Sequence, residues 1–189
     1  SPFQHPPSVR LHSGWACTNI GDIGHTPGTL RYLGEFFPEC RVNCWLHKSN
    51  EDVVSMLRNR FPHVRFIEGG SLDDAGQASS PELQAALDTA DMFVYNSGMH
   101  YNRYWAPPVN LLRACISRNT PFGLYGQSFD GFREEDTDTL INLLSEAALI
   151  YCRDCESLRF LREEGVSPRV LEFGPDGCFG IDVSDDARA

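Results

Sequence analysis

The sequence predicts an α/β fold with a single domain spanning 1–189, built on a doubly wound, mainly parallel sheet of about seven strands with helices on both faces. Three observations carry this expectation. Short apolar runs alternate with helix-length amphipathic segments along the whole chain. Glycine and polar residues gather just after the apolar runs, where ligands bind in open parallel sheets. The length of 189 residues and the 41% hydrophobic content suit one ordinary core.

The predicted strands are 9–15, 41–46, 64–68, 92–96, 121–126, 148–152 and 169–172. After the first comes Thr18-Asn19-Ile20-Gly21-Asp22-Ile23-Gly24-His25-Thr26-Pro27-Gly28, which reads as a ligand-facing strand-to-helix loop. Its glycines let backbone N–H groups approach a ligand, Thr26 is placed to cap, and Pro27 suits the first helical position. The new helix N-terminus would then favour an anion. Leu30, Leu33 and Phe37 mark the apolar face of that helix, Val53, Leu57 and Phe61 mark a second, and Val109, Leu112 and Ile116 a third. Asn50 before Glu51-Asp52 and Ser80 before Pro81-Glu82 are helix starts, and Asp154 is placed as another cap. The polar, glycine-rich stretch 69–80 is expected to be a mobile loop.

A formal net charge of −10 disfavours nucleic acid and anionic membrane surfaces as partners, since both want a basic face. No apolar run approaches the roughly 20 residues that span a bilayer. Seven cysteines, an odd number scattered among strands and helices, favour a reduced, cytoplasmic protein. Cys152-x-x-Cys155 has redox or half-zinc spacing but no second pair, so both thiols are read as structural. The chain starts at Ser1 without Met, which is expected of an excised piece or a processed chain more than of a complete reading frame.

Several nucleotide sites are disfavoured. The glycine spacing Gly21-x-x-Gly24 lacks the Gly-x-Gly-x-x-Gly of a dinucleotide fold, and the second strand runs into His47-Lys48 without an acid for an adenosine ribose. There is no P-loop and no Gly-x-Ser-x-Gly elbow.

Chemistry-bearing residues fall after five strands. Asn19, Asp22 and His25 follow the first, and Asn96-Ser97-Gly98-Met99-His100-Tyr101-Asn102-Arg103-Tyr104-Trp105 follows the fourth as an acceptor pocket. Gln127-Ser128-Phe129-Asp130 follows the fifth, Arg153-Asp154-Cys155-Glu156-Ser157 the sixth and Gly174-Pro175-Asp176 the seventh. Asp22 is open to a ligand role or to satisfying loop amides, and His100 to a site role or to packing. Arg153 can pair with an acid or bind an anion, and Asp176 can hold a turn. His25 reads as a surface or capping residue, while His5, His12, His47 and His63 read as surface or packing residues. No metal-ligand cluster is evident.

Two separated pieces then combine: Asn19-Ile20-Gly21-Asp22 near the start, and Tyr151-Cys152-Arg153-Asp154-Cys155-Glu156-Ser157 running through Leu161, Gly165-Val166 and Pro175-Asp176. In content and order they resemble the polysaccharide pyruvyl transferase family over almost the whole chain. The resemblance implies two Rossmann-like domains facing across a cleft, as in the B-type glycosyltransferase architecture, with this chain as the N-terminal half and a C-terminal domain lying outside it. It further implies transfer of pyruvyl from phosphoenolpyruvate to two sugar hydroxyls as a cyclic ketal, with release of phosphate and no cofactor or metal. On this reading Asp22 and His100 are catalytic, and Asn19, Gly21, Gly24, Asn96, Ser97, Arg153, Ser157 and Asp176 bind substrate. The competing expectations are a glycosyltransferase half using a nucleotide sugar, or a non-catalytic carbohydrate-binding domain in which Tyr101, Tyr104 and Trp105 stack on sugar.

Overall fold

The computed structural model describes residues 6–182. They form seven parallel strands, β1 (Ser8–Ser13), β2 (Arg41–Leu46), β3 (Arg65–Glu68), β4 (Met92–Tyr95), β5 (Phe122–Gln127), β6 (Leu149–Cys152) and β7 (Leu171–Phe173). Six helices alternate with them: α1 (Ile20–Phe36), α2 (Glu51–Arg60), α3 (Pro81–Asp88), α4 (Val109–Ser117), α5 (Thr137–Ser145) and α6 (Cys155–Glu163). The strand order is β3-β2-β1-β4-β5-β6-β7. The order reverses between β1 and β4, which opens a crevice at their C-terminal ends. The α/β, doubly wound, Rossmann-like expectation is what the chain adopts.

Burial on both faces explains the apolar runs. On one face Leu11, Val42, Cys44, Leu46 and Phe66 of β1, β2 and β3 pack with Leu30 of α1 and Val54 and Leu57 of α2. On the other, Trp45, Ile67, Phe93, Phe122, Leu124, Ile150 and Cys152 meet Leu83, Leu112, Leu140 and Leu161 from α3 to α6. Asn50, Ser80 and Asp154 cap α2, α3 and α6 through their side chains, as their positions predict.

The first loop differs from expectation. β1 stops at Ser13 because Gly14 turns the chain at φ +75°, and Asn19, not Thr26, caps the helix by accepting the Gly21 N–H at 2.9 Å. The helix therefore begins at Ile20, which turns most of the supposed loop into its first two turns. Thr26 is buried inside it against Ser13 Oγ at 2.7 Å, and Pro27 sits within the helix. Phe37 lies beyond the helix and is exposed, and Ile116 is partly exposed. The stretch 69–80 is laced internally: Asp73 Oδ1 accepts from the Ala75 and Gln77 amides, and Leu72 bridges Ala78.

After β7 the chain does not leave the sheet edge. A short 3-10 turn, Gly177–Gly180, crosses the C-terminal ends of the strands and seats on α1. Gly177 N–H donates to Ser97 Oγ at 2.9 Å, and Arg31 Nη1 reaches the Gly180 carbonyl at 3.3 Å. This return carries Asp176 from the edge strand to the crevice beside β1 and β4.

Candidate active site

Asp176 is the meeting point of the site. Its Oδ1 caps the 3-10 turn by accepting the Cys178 N–H at 2.8 Å, while its Oδ2 accepts from Arg153 Nη1 at 2.7 Å and lies 3.3 Å from His25 Nε2. Burial works against the ionised carboxyl, but His25, the Cys178 amide and Arg153 outweigh it and hold Asp176 far below the usual carboxylate range. Arg153, at the end of β6, also donates Nε–H to Ser128 Oγ at 2.7 Å. Ser128 donates its hydroxyl to Asp154 Oδ2 at 2.6 Å, and Asp154 Oδ1 caps α6 by accepting the Ser157 N–H at 2.7 Å.

The sequence-predicted residues fall into two groups. Asp22, Arg153, Asp176 and His100 line the strand ends with side chains only partly buried. Asn96, Ser97 and Ser157 are fully buried and occupied. Asn96 Nδ2 donates to Ser13 Oγ at 2.9 Å and the His25 carbonyl at 3.1 Å, and its Oδ1 accepts from Thr29 at 2.8 Å. Ser157 Oγ accepts the Phe129 N–H at 2.8 Å. These groups brace the site floor.

Gly21 and Gly24 are placed by packing. The Gly21 amide serves the Asn19 cap, its carbonyl accepts from the Cys178 thiol at 3.4 Å, and a Cβ on Gly24 would meet Ile181 at 3.0 Å and Cys178 Sγ at 3.1 Å. The loop glycines thus form a seat for the returning 3-10 turn. His25, read from sequence as surface or capping, is buried at 5% exposure with Nδ1 lacking a hydrogen-bond partner. Its register beside Asp22 on α1 is legible in the sequence, but its partner Asp176 lies at the other end of the chain.

His100 rests against Trp15, ring centroids 4.1 Å apart, and its backbone N–H reaches Gln127 Oε1 at 3.4 Å. Burial, then the charges of His47 and His25, lower its pKa to about 4 against a raising bond from Gln127, so at neutral pH it is a neutral imidazole. His12 is wholly buried, stacked 3.8 Å from Trp45, and burial lowers its pKa well below the ordinary value. Of the aromatic trio, Tyr101 is fully buried, whereas Tyr104 and Trp105 are exposed at 60% and 47%. Tyr104 Oη donates to Asp130, which Arg103 also holds at 2.6 Å.

His25, Asp176 and Cys178 bring one ligand atom each within 4.8 Å of one another, a grouping of metal-binding type that the sequence spacing does not reveal. Arg153 already occupies Asp176 Oδ2, and burial, with the Asp176 charge, pushes the Cys178 thiol up to about 12. In this arrangement Asp176 Oδ2 accepts from Arg153 and the Cys178 thiol donates to the Gly21 carbonyl. All seven cysteines are free; Cys152 is buried and Cys155 exposed.

A Rossmann-like domain whose strand ends bring together an ion-paired arginine and a neutral histidine defines an α/β protein with a polar crevice at the C-terminal edge of its sheet. The chain belongs to the polysaccharide pyruvyl transferase family, whose model matches residues 19–188. This is a transferase family with sugar acceptors. No curated protein matches the chain in sequence. Among solved structures it is similar to a UGT transferase from Siraitia grosvenorii in complex with UDP, with TM-score 0.50, 10% identity, and coverage of 95% of this chain and 52% of that one. It is also similar to a UDP-GlcNAc 2-epimerase from Neisseria meningitidis bound to UDP-GlcNAc, with TM-score 0.44, 11% identity, and coverage of 85% and 35%. The first likeness supports the fold. The chain spans between 35% and 52% of the length of these two structures. Among the described residues no helix is long and apolar enough to cross a membrane.

Proposed function

We propose that the protein transfers the enolpyruvyl carbons of phosphoenolpyruvate to two hydroxyls of a sugar, forming a cyclic ketal and releasing phosphate, with this chain as one wall of the cleft. The observation that carries the reading is Arg153, fixed at Nε and Nη1 by Ser128 and Asp176 while its side chain stays 27% exposed. A pre-oriented guanidinium of this kind suits a carboxylate or phosphate.

The chemistry then distributes as follows. Two sugar oxygens bond to the central carbon of phosphoenolpyruvate, and its bond to the phosphate oxygen breaks. Of the two hydroxyl protons, one ends on the methylene carbon, which becomes methyl, and the other leaves with phosphate. Positive character builds at the central carbon, and Arg153 holds the anionic groups beside it. Neutral His100 takes a hydroxyl proton, and Asp22, in the first turn of α1, handles the other exchange. Asn19 shapes that turn through its cap. The exposed faces of Tyr104 and Trp105 receive the acceptor sugar.

The test is phosphate release by the full-length protein given phosphoenolpyruvate with galactoside or N-acetylmannosamine acceptors. Release that requires both substrates is expected; none above background overturns the reading. The exposed Tyr104 and Trp105 favour one second reading, a carbohydrate-binding domain without turnover. Glycan binding unchanged by Arg153→Ala, without phosphate release, would establish it.

A further inference from the structure

We propose that Ser128 and Asp154 are positioning residues that set which edge of Arg153 faces the ligand. The inference rests on the anion-binding role given to Arg153 above. It adds two residues to that site: Ser128, which the family-like motif does not include, and the second oxygen of Asp154, which otherwise reads as a helix cap.

The argument is one of donor and acceptor direction. Asp154 Oδ1 is committed to the Ser157 N–H that starts α6, which fixes the carboxylate in the plane that also presents Oδ2 to Ser128 at 2.6 Å. An ionised carboxylate only accepts, so the Ser128 hydroxyl hydrogen must point to Asp154. The oxygen lone pair of Ser128 is then left facing Arg153 Nε–H, at 2.7 Å. Burial opposes the ionised form, but the Ser128 and Ser157 bonds and the Arg153 charge keep the Asp154 carboxyl below its ordinary value, so this polarity holds at neutral pH. Asp176 takes one hydrogen of Nη1 from the other side. Of the five N–H donors of a guanidinium, two are consumed, which leaves one N–H on Nη1 and both on Nη2 for an anion. Without Ser128, the guanidinium loses its second anchor and can turn about the remaining contact to Asp176.

Two measurements on the full-length protein test this. In 15N-labelled protein the Arg153 Nε–H should be protected from solvent exchange in the wild type and in Ser128→Thr, which keeps the hydroxyl, and should lose protection in Ser128→Ala. Calorimetric titration with phosphoenolpyruvate should show Kd raised about tenfold in Ser128→Ala and within about twofold of wild type in Ser128→Thr, for the loss or retention of one charge-assisted hydrogen bond. An Nε–H equally protected in Ser128→Ala, or equal losses of affinity in the alanine and threonine variants, overturns the proposal. If the wild type does not bind phosphoenolpyruvate, the transfer reading fails, and the exchange measurement still decides the positioning role.

Discussion

Gly28 of α1 and Gly177 of the returning turn touch backbone to backbone: a Cβ placed on Gly28 would lie 1.9 Å from the Gly177 carbonyl oxygen. No rotamer relieves such a clash, because both partners are main chain. Gly28→Ala should favour the isolated helix by roughly 1 kcal/mol, yet the packing clash opposes it by about 3 kcal/mol. Net destabilisation in urea is therefore expected, together with weakened phosphoenolpyruvate binding because Asp176 sits one residue before the displaced segment. A variant as stable as wild type would show that the turn is not seated on α1.

Arg153→Lys tests the geometry of the anion site against its charge. A lysine keeps the positive charge but cannot donate to Ser128 and Asp176 from two fixed nitrogens while presenting a fork to a ligand. Phosphoenolpyruvate affinity should fall about a hundredfold, consistent with the loss of paired charge-assisted bonds. Affinity within a few-fold of wild type would mean that charge alone suffices.

The fold is legible in the sequence because parallel strands buried on both faces are written as continuous apolar runs, such as 92–96 and 148–152, and because Asn50, Ser80 and Asp154 announce helix starts locally. The site is less legible, since its signals depend on contacts between the two ends of the chain. Gly21, Gly24 and Gly28 look like a ligand cradle until Cys178 and Gly177 are placed against them. The matching pair Gly177-x-x-Gly180 is the one sequence hint of that close approach. Asn96 shows the same ambiguity: an asparagine after a strand reads as ligand-facing, but its amide is spent on Ser13, Thr29 and the His25 carbonyl. Asn96→Ala should therefore cost about 2–4 kcal/mol of stability through orphaned buried partners, with the KM of the folded enzyme for phosphoenolpyruvate changed less than twofold. A raised KM at unchanged stability would return Asn96 to the substrate.

Acid stability should fall in two stages. His100 and His12 have depressed folded pKa values, so the unfolded chain binds more protons below its own histidine value near 6.5, and stability drops as pH falls from there. For His100 the loss runs down to about pH 4 and amounts to roughly 3 kcal/mol. Asp176 acts in the same direction at lower pH: its stabilisation is complete above the unfolded carboxyl value and is lost at more acid pH as the folded group protonates. Urea midpoints measured across this range should show His100→Gln flattening the upper stage without abolishing it, since His12 remains, and Asp176→Asn removing part of the lower one. A wild-type profile flat between pH 6.5 and 4 would contradict the buried neutral histidines.

Trp105 separates acceptor binding from anion binding. Its ring is tilted 45° from Tyr104 at 6.1 Å, and Tyr104 is tied through Asp130 to the segment that also carries Ser128. The aromatic pair is thus linked, through Asp130, to the segment that carries Ser128 without sharing the hydrogen bonds of Arg153. Because the side chain is exposed, Trp105→Ala should change folding stability by less than about 0.5 kcal/mol. Losing one stacking face should raise the acceptor KM about tenfold, at the upper end of what an aromatic contact contributes, while phosphoenolpyruvate affinity stays within twofold. Steady-state kinetics with each substrate varied in turn distinguishes the outcomes: equal effects on both substrates would place Trp105 in general loop order, and no effect on either would remove it from the acceptor path.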